Sequence, residues 1–312
     1  MRTYRDSFQY KVVTGRFTLS VAVLTALLLW GVTCEVREGF PAWIACVVIA
    51  YLLIEMTTRF SLVHARSTFP SSLYLLYCSA FPFLHVADIR CVVPVLFLCM
   101  MVGLLRSYES LHAPLFVFHT FFCLGLITWV IPYYICFLPV IYLLLLYSRS
   151  FTARTFFAGL SGLLLPYWLY GGYCAYMGDF TRLVSQLHRF ADIQPVDYSA
   201  LGWPHWLGLG LVLCLSVMSC GYVFSFSYKD KVQRRIYLHL WVLVQLWGGL
   251  LLLLQPQYYV DLLTLQLVLG AVSGAYVFSF RFSRFMNVLF LLSAVGWLSV
   301  CVVNVWMHFF SY

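Results

Sequence analysis

The chain has 312 residues, of which 63% are apolar or aromatic and 10% are charged, and its formal net charge is +8. A soluble domain needs roughly 25% charged residues to cover its surface, so this composition excludes a water-soluble globule of this size. The Lys and Arg residues stand singly or in short groups between apolar runs. This arrangement excludes a nucleic-acid-binding face and indicates contact with membrane lipids.

Eleven apolar runs approach the length of about 20 residues that a helix needs to cross a bilayer. The sequence therefore predicts an all-α, polytopic transmembrane helix bundle that forms a single integral membrane domain over residues 1–312. The first run follows a basic segment and is long enough to span, so no cleavable signal peptide is expected. The predicted spans lie near 17–34, 41–58, 70–87, 91–105, 113–131, 133–147, 155–177, 203–226, 236–254, 262–280 and 285–308.

The stretch 113–147 contains no Asp, Glu, Lys or Arg. As one helix it would be about 52 Å long, which is too long for a single crossing. Pro132 offers a break, so the stretch forms either a tight hairpin of two spans or one span followed by a re-entrant segment.

The distribution of charge predicts the orientation. With a cytoplasmic N-terminus and eleven crossings, the C-terminus is periplasmic and most of the 19 Lys and Arg residues are cytoplasmic, as the positive-inside rule requires. The opposite side then holds only Arg37, Arg90, Arg182 and Arg189.

A periplasmic amphipathic helix is expected near 179–192. Its apolar residues fall on one helical face, and Arg182, Gln186 and Arg189 fall on the other. Such a helix is suited to lie in the plane of the head groups. Arg182, His188 and Arg189 are candidate contacts for a head group or phosphate, because Arg matches phosphate oxygens; the alternative is that they only solvate the helix.

Four further polar residues are candidates for a functional site. Asp88 and Arg90 form a candidate base and anion clamp, or an ordinary surface turn. His119 is predicted to lie buried among phenylalanines, where it lines a pathway or bonds to a neighbouring helix. Glu55 is a candidate intramembrane polar residue, or a simple partner of Arg59 at i+4.

Two patterns concern helix packing. The segment Tyr222–Phe226 recurs as Tyr276–Phe280, 54 residues later, which predicts a tandem duplication of a helical hairpin whose copies run in the same direction. Gly270 and Gly274 have the small-xxx-small spacing of a close helix contact.

Motifs for known chemistry are missing from the sequence. There is no phosphate-binding loop, dinucleotide fingerprint or HExxH motif, and the eight histidines lack the spacing of a shared metal site. No metal and no cofactor is therefore expected, and enzymatic activity is left open with a preference against it. The eleven cysteines contain no Cys-x-x-Cys pair and are interpreted as small packing residues.

The middle of the chain resembles an uncharacterised family of polytopic inner-membrane proteins from Bacteroidetes, described as a domain of unknown function. The resemblance implies a bacterial inner membrane and no assigned activity, and it carries over no catalytic residues. The residues that carry it are Trp129-Val130-Ile131-Pro132-Tyr133-Tyr134, Leu138-Pro139, Arg149, Gly159, Gly162 and Leu165-Pro166-Tyr167-Trp168.

Three functions are compatible with these patterns. The first is an accessory or structural component of an envelope process, with membrane lipids and other envelope membrane proteins as partners and no nucleic acid. The second is an enzyme acting on a lipid-linked glycan, such as a ligase, a polymerase or a glycosyltransferase of the membrane-embedded GT-C type. The third is a transporter or flippase, which needs buried ionisable residues near the midplane.

Overall fold

The computed structural model describes residues 7–33, 36–64, 68–85, 88–179, 181–190, 196–198 and 201–310. Every regular element in these ranges is helical, which confirms the all-α prediction. The α-helices of the described part are α1 (Phe8–Thr14), α2 (Thr18–Thr33), α3 (Val36–Arg59), α4 (Thr68–Ser79), α5 (Val92–Arg106), α6 (Ala113–Val130), α7 (Phe137–Tyr147), α8 (Ala153–Met177), α9 (Thr181–His188), α10 (Trp203–Phe226), α11 (Val232–Leu254), α12 (Tyr259–Phe280) and α13 (Arg284–Phe310).

Seven segments of the described chain are long and apolar enough to cross a membrane. Helices α1 and α2 meet at a bend of 90° and make an eighth if the bent pair is one span. The chain is therefore a multi-pass membrane protein by the length and apolarity of its helices, while the count of eleven stays a prediction. The seven are Gly39–Arg59, Ile89–Arg106, Ala113–Val130, Trp203–Lys229, Val232–Leu254, Pro256–Phe280 and Arg284–Phe310.

Proline explains two of the shorter helices. A residue that precedes proline is pushed out of the helical region and into extended backbone. Phe81 precedes Pro82 and is extended, so the run predicted as 70–87 gives only the 12-residue helix α4. Ile131 precedes Pro132 and is extended too, which ends α6 and leaves the 11-residue α7 after a 3₁₀ turn.

The chain divides into two compact units, and each has its own core. Unit 1 comprises Met1–Asp88 and Asp197–Tyr312, and unit 2 comprises Ile89–Val196. In unit 1, α12 is the central helix: it is buried along most of its length and packs against α4, α10 and α11. In unit 2, α6 packs extensively against α5 and α8.

The predicted duplication corresponds to two helices that pack side by side. The Ser219 hydroxyl of α10 donates to the Ser273 hydroxyl of α12 at 3.1 Å, and the Tyr259 hydroxyl donates to the His205 carbonyl at 3.1 Å. Both pairs are 54 residues apart, the same offset as the sequence repeat. One pair lies near the start of the two helices and the other lies further along them. Because the offset is the same in both pairs, α10 and α12 run parallel, and equivalent positions of the repeat meet across their interface.

Candidate functional site

The candidate site of unit 1 begins where α3 ends. Ser61 adopts a left-handed backbone conformation with φ 49°. The amide of Leu62 donates to the Thr57 carbonyl at 3.3 Å, and the amide of Ser61 donates to the Thr58 carbonyl at 3.4 Å. This is the Schellman pattern of helix termination. Leu62 is fully buried, which anchors the turn and leads the chain to His64.

His64 meets the loop before α11. Its Nε2 lies 2.9 Å from Oδ1 of Asp230, whose side chain is only 4% exposed. Arg234, one turn further along the chain, places Nη1 3.4 Å from the same carboxylate oxygen. A carboxylate this deeply buried must be paired, because desolvation of an isolated charge is costly. The positive and polar groups around Asp230 meet that requirement.

Helix α12 supplies the remaining partner. The hydroxyl of Tyr276 donates to Oδ2 of Asp230 at 2.7 Å. Tyr276 is itself buried in an apolar cluster with Val223 and Leu238. His64 also lies against the rings of Tyr276 and Phe280, with centroids 5.8 and 5.3 Å away. Both oxygens of the Asp230 carboxylate are therefore fixed by groups from separate parts of unit 1.

A cavity of about 330 Å³ adjoins this cluster. Three of its lining residues are cations, and none is an acid; we call it the basic pocket. Phe60 and Tyr237 form one wall, with ring centroids 5.3 Å apart, and Gln233 donates to the Tyr237 hydroxyl at 2.8 Å. The basic pocket is lined by Arg59, Phe60, Ser61, Lys231, Gln233, Arg234 and Tyr237.

The charges of the basic pocket suit an anion. Within the ranges that the structure describes, neither Arg59 nor Lys231 is paired with a carboxylate. Arg234 is offset only in part, since Asp230 is shared with His64 and Tyr276. Guanidinium and ammonium groups converging on one cavity favour a phosphate or carboxylate group, and an arginine offers it two parallel donors.

The level of the basic pocket is set by two spans. Arg59 is the last residue of the span Gly39–Arg59, and Lys231 directly precedes the span Val232–Leu254. Residues at span ends lie near the boundary between hydrocarbon and water. An anion in the basic pocket would therefore lie at the level of lipid head groups.

The amphipathic helix predicted near 179–192 is observed as the shorter α9, and it packs against α8 within unit 2. Gln186 donates to the Trp129 carbonyl at 2.9 Å, and the ring of Phe190 lies 5.8 Å from that of Tyr167. Arg189 donates to the Gln186 side chain at 3.1 Å and is exposed, as is His188. The side chain of Arg182 lies outside the described residues.

His119 is not buried, contrary to the expectation. Its side chain is exposed on α6, and its Nε2 lies 3.8 Å from Cys123 Sγ on the same helix. The phenylalanines around it in the sequence point to several faces of the helix, because residues one or two positions apart do not share a face. His119 therefore does not line an internal pathway of unit 2.

Three other predicted polar residues lie at exposed positions. Asp88 and Arg90 are both exposed. Glu55 is exposed on α3, and among the described residues no ion pair joins it to Arg59. Arg59 instead lines the basic pocket.

The closest glycine contacts are not at Gly270 and Gly274. A Cβ added at Gly270 would lie 3.8 Å from Gln245, and one at Gly274 would lie 3.6 Å from Tyr77, which are ordinary contact distances. A Cβ at Gly125 of α6 would lie 2.7 Å from the Leu163 carbonyl of α8. A Cβ at Gly162 of α8 would overlap the Phe118 carbonyl of α6. The tightest backbone approach of these pairs is thus in unit 2.

The sequence interpretation missed the cluster around Asp230. His64 is 166 positions away from Asp230, and the positive-inside rule alone accounts for the basic residues nearby in the sequence. One signal was present: Asp230 is the single acid in a short basic segment that also holds Lys229, Lys231, Arg234 and Arg235. An acid retained among so many cations indicates a specific partner.

Comparison with known proteins adds no family. No protein-family model matches the chain, and no curated protein or solved structure is similar to it. The resemblance to a Bacteroidetes family therefore stays a prediction. Within the described ranges, no group of three or more His, Cys, Asp or Glu side chains is placed to hold a metal ion.

Proposed function

We propose that this chain is a multi-pass protein of the bacterial inner membrane that binds the phosphate group of a membrane lipid in the basic pocket. It would serve an envelope process as an accessory component, with lipids and other envelope proteins as partners. The observation that carries the proposal is the convergence of Arg59, Lys231 and Arg234 on one cavity without a lining carboxylate. The position of the basic pocket at the ends of two spans favours a lipid as the source of the phosphate.

The test measures how tightly three short-chain or soluble probes bind to purified full-length protein in a neutral detergent. Short-chain phosphatidylglycerol should bind, whereas the zwitterionic phosphatidylcholine of equal chain length should bind much more weakly. The deacylated head group, glycerophosphoglycerol, separates a lipid from a free phosphodiester as the source. Equal binding of the deacylated head group would refute the lipid, and equal binding of phosphatidylcholine would refute the anion site.

A double substitution, Arg59→Ala with Lys231→Ala, removes two cations from the basic pocket. Binding of phosphatidylglycerol should weaken at least tenfold, since a hydrogen bond to a charged group contributes about 1.5–3 kcal/mol. Arg284→Ala is the matched control, because Arg284 is an exposed cation at the start of another span and does not line the basic pocket. If the double variant binds as the wild type does, the pocket is not the site.

We propose further that the basic pocket faces the cytoplasm, as the positive-inside rule requires of the basic residues between Lys229 and Arg235. A reporter fused after Lys231, before α11 begins, should be cytoplasmic. A second reporter, fused after Tyr312, separates an odd from an even number of crossings. Eleven crossings put that reporter in the periplasm. A cytoplasmic basic pocket does the same, because the end of α12 lies beside the pocket and one span, Arg284–Phe310, follows it. A cytoplasmic reporter would therefore contradict the proposed orientation.

A further inference from the structure

His64 links the buried carboxylate to a cation of the basic pocket. Nη1 of Arg234 lies 3.0 Å from Nδ1 of His64 and 3.4 Å from its Nε2. Nε2 lies 2.9 Å from Oδ1 of Asp230, which can only accept, so in the neutral ring Nε2 carries the proton. Nδ1 is then the nitrogen that can accept from the guanidinium, and it is also the nearer one.

Arg234 belongs to the Asp230 cluster and to the basic pocket at once. Within the described residues, all its hydrogen bonds and its ion pair run through Nη1. The carboxylate that attracts it cannot follow a moving side chain, because the Tyr276 hydroxyl holds the other oxygen. The position of Arg234 therefore depends on whether His64 accepts from it.

We propose that protonation of His64 releases Arg234 to the phosphate in the basic pocket, so that the site binds its anion more tightly as the pH falls. Once Nδ1 carries a proton, two donors and two positive charges face each other at 3.0 Å, and the contact is lost. The His64 cation then neutralises Asp230 in place of Arg234. The inference rests on the proposed function and adds its regulation.

The groups that face His64 set the pH range. Burial lowers the pKa of His64 below the ordinary value of 6.5, the Asp230 carboxylate opposes this shift, and the Arg234 cation adds to it. From α12, Tyr276 and Phe280 present rings to the imidazole and no charge. Arg59 and Lys231 stay charged throughout. Binding should therefore strengthen below about pH 6.5, not above it.

The experiment measures phosphatidylglycerol binding by the full-length protein at pH 7.5 and pH 5. A phosphodiester keeps its single negative charge over this range, so the probe does not titrate. The wild type should bind roughly fivefold or more tightly at pH 5, a coupling of ordinary size between two linked sites. His64→Gln, which cannot titrate, should bind equally at both pH values.

A second measurement does not depend on the folding of a variant. The ring ¹⁵N signals of His64, assigned by their loss in His64→Gln or by their proximity to Tyr276, report its protonation in the wild type. Because coupling is reciprocal, saturating phosphatidylglycerol should raise the pH midpoint of this titration. If phosphatidylglycerol leaves the pH midpoint of the His64 titration unchanged, the proposed control of Arg234 by His64 is overturned.

The outcomes separate the two proposals. The proposed control of Arg234 by His64 is overturned if the wild type binds equally at pH 7.5 and pH 5. It is also overturned if His64→Gln keeps the full pH dependence of binding. If Arg59→Ala with Lys231→Ala still weakens binding at least tenfold in that case, the phosphate site stands without its regulation. Failure of the wild type to bind phosphatidylglycerol at either pH overturns both.

Discussion

Unit 1 and unit 2 are both built from apolar helices, but the contacts between helices within unit 1 differ from those within unit 2. In unit 2, α6 and α8 approach until the backbone of one helix touches the other, at Gly125 and Gly162. In unit 1, the contacts between helices include buried polar groups, from the Ser219–Ser273 pair to the carboxylate of Asp230. Small residues and interhelical hydrogen bonds are the two general means of helix association in lipid. Unit 2 combines them, since the Tyr167 hydroxyl of α8 also donates to the Thr128 hydroxyl of α6 at 2.9 Å, whereas the backbone contact at Gly162 has no counterpart at Gly270 or Gly274 of unit 1.

The comparison concerns the interfaces between helices. Where α6 and α8 touch at Gly125 and Gly162, backbone contact leaves no room for a ligand between the two helices. Buried polar groups need partners, and their supporting residues can hold a charged side chain at the edge of a cavity. The four predictions below test this contrast by unfolding in mixed detergent, from the largest expected effect to the smallest.

Gly162→Ala should cost about 3 kcal/mol, because the new Cβ would overlap the Phe118 carbonyl and backbone cannot yield as a side chain does. The measurement is the free energy of unfolding. Gly172→Ala is the matched control on the same helix, since no atom lies within 4 Å of its Cβ position. Equal stability of the two variants would contradict close packing of α6 and α8.

Tyr276→Phe should cost about 2 kcal/mol, because it removes a hydrogen bond to the buried carboxylate of Asp230. Tyr259→Phe removes a hydroxyl of the same kind that donates to the neutral carbonyl of His205. Its cost should be about 1 kcal/mol. If Tyr259→Phe cost more than Tyr276→Phe, the hydrogen bond from Tyr276 would not have the strength of a bond to a charged carboxylate.

Trp241→Phe should cost about 1.5 kcal/mol. Trp241 is fully buried on α11, and its Nε1 donates to the Leu269 carbonyl of α12 at 2.9 Å. The variant loses this hydrogen bond and leaves a small void. Trp206→Phe, at an exposed tryptophan of α10, should change stability by less than about 0.5 kcal/mol, and a similar loss in both would contradict the result.

Ser219→Ala should have the smallest effect, about 0.6 kcal/mol, which is typical of one hydrogen bond between helices in a membrane. It removes the hydroxyl that pairs equivalent positions of the repeat. Ser161→Ala is the control, because the Ser161 hydroxyl bonds only within α8, to the Ala158 carbonyl. No difference between the variants would mean that the Ser219–Ser273 hydrogen bond adds nothing to the association of α10 and α12.

Much of the fold was predictable because lipid imposes strong rules on sequence. A shortage of charge and long apolar runs leave only helices as a means of satisfying the backbone in a bilayer. Each of the eleven runs falls on a helical segment, and the 54-residue repeat correctly indicated that two helices run in parallel. The number of crossings was less accessible, because Pro82 and Pro132 shorten helices that hydropathy alone extends.

The sequence by itself determined that lipid surrounds this protein and that its backbone is helical, because both follow from composition and local periodicity. Only the tertiary structure decided which polar residues meet. His64, Asp230 and Tyr276 come from distant parts of the chain, and their contacts depend on how the turn after α3 and the helices α11 and α12 pack. In the structure His119 is exposed and not buried, because the helices packed against α6 determine which of its faces is buried.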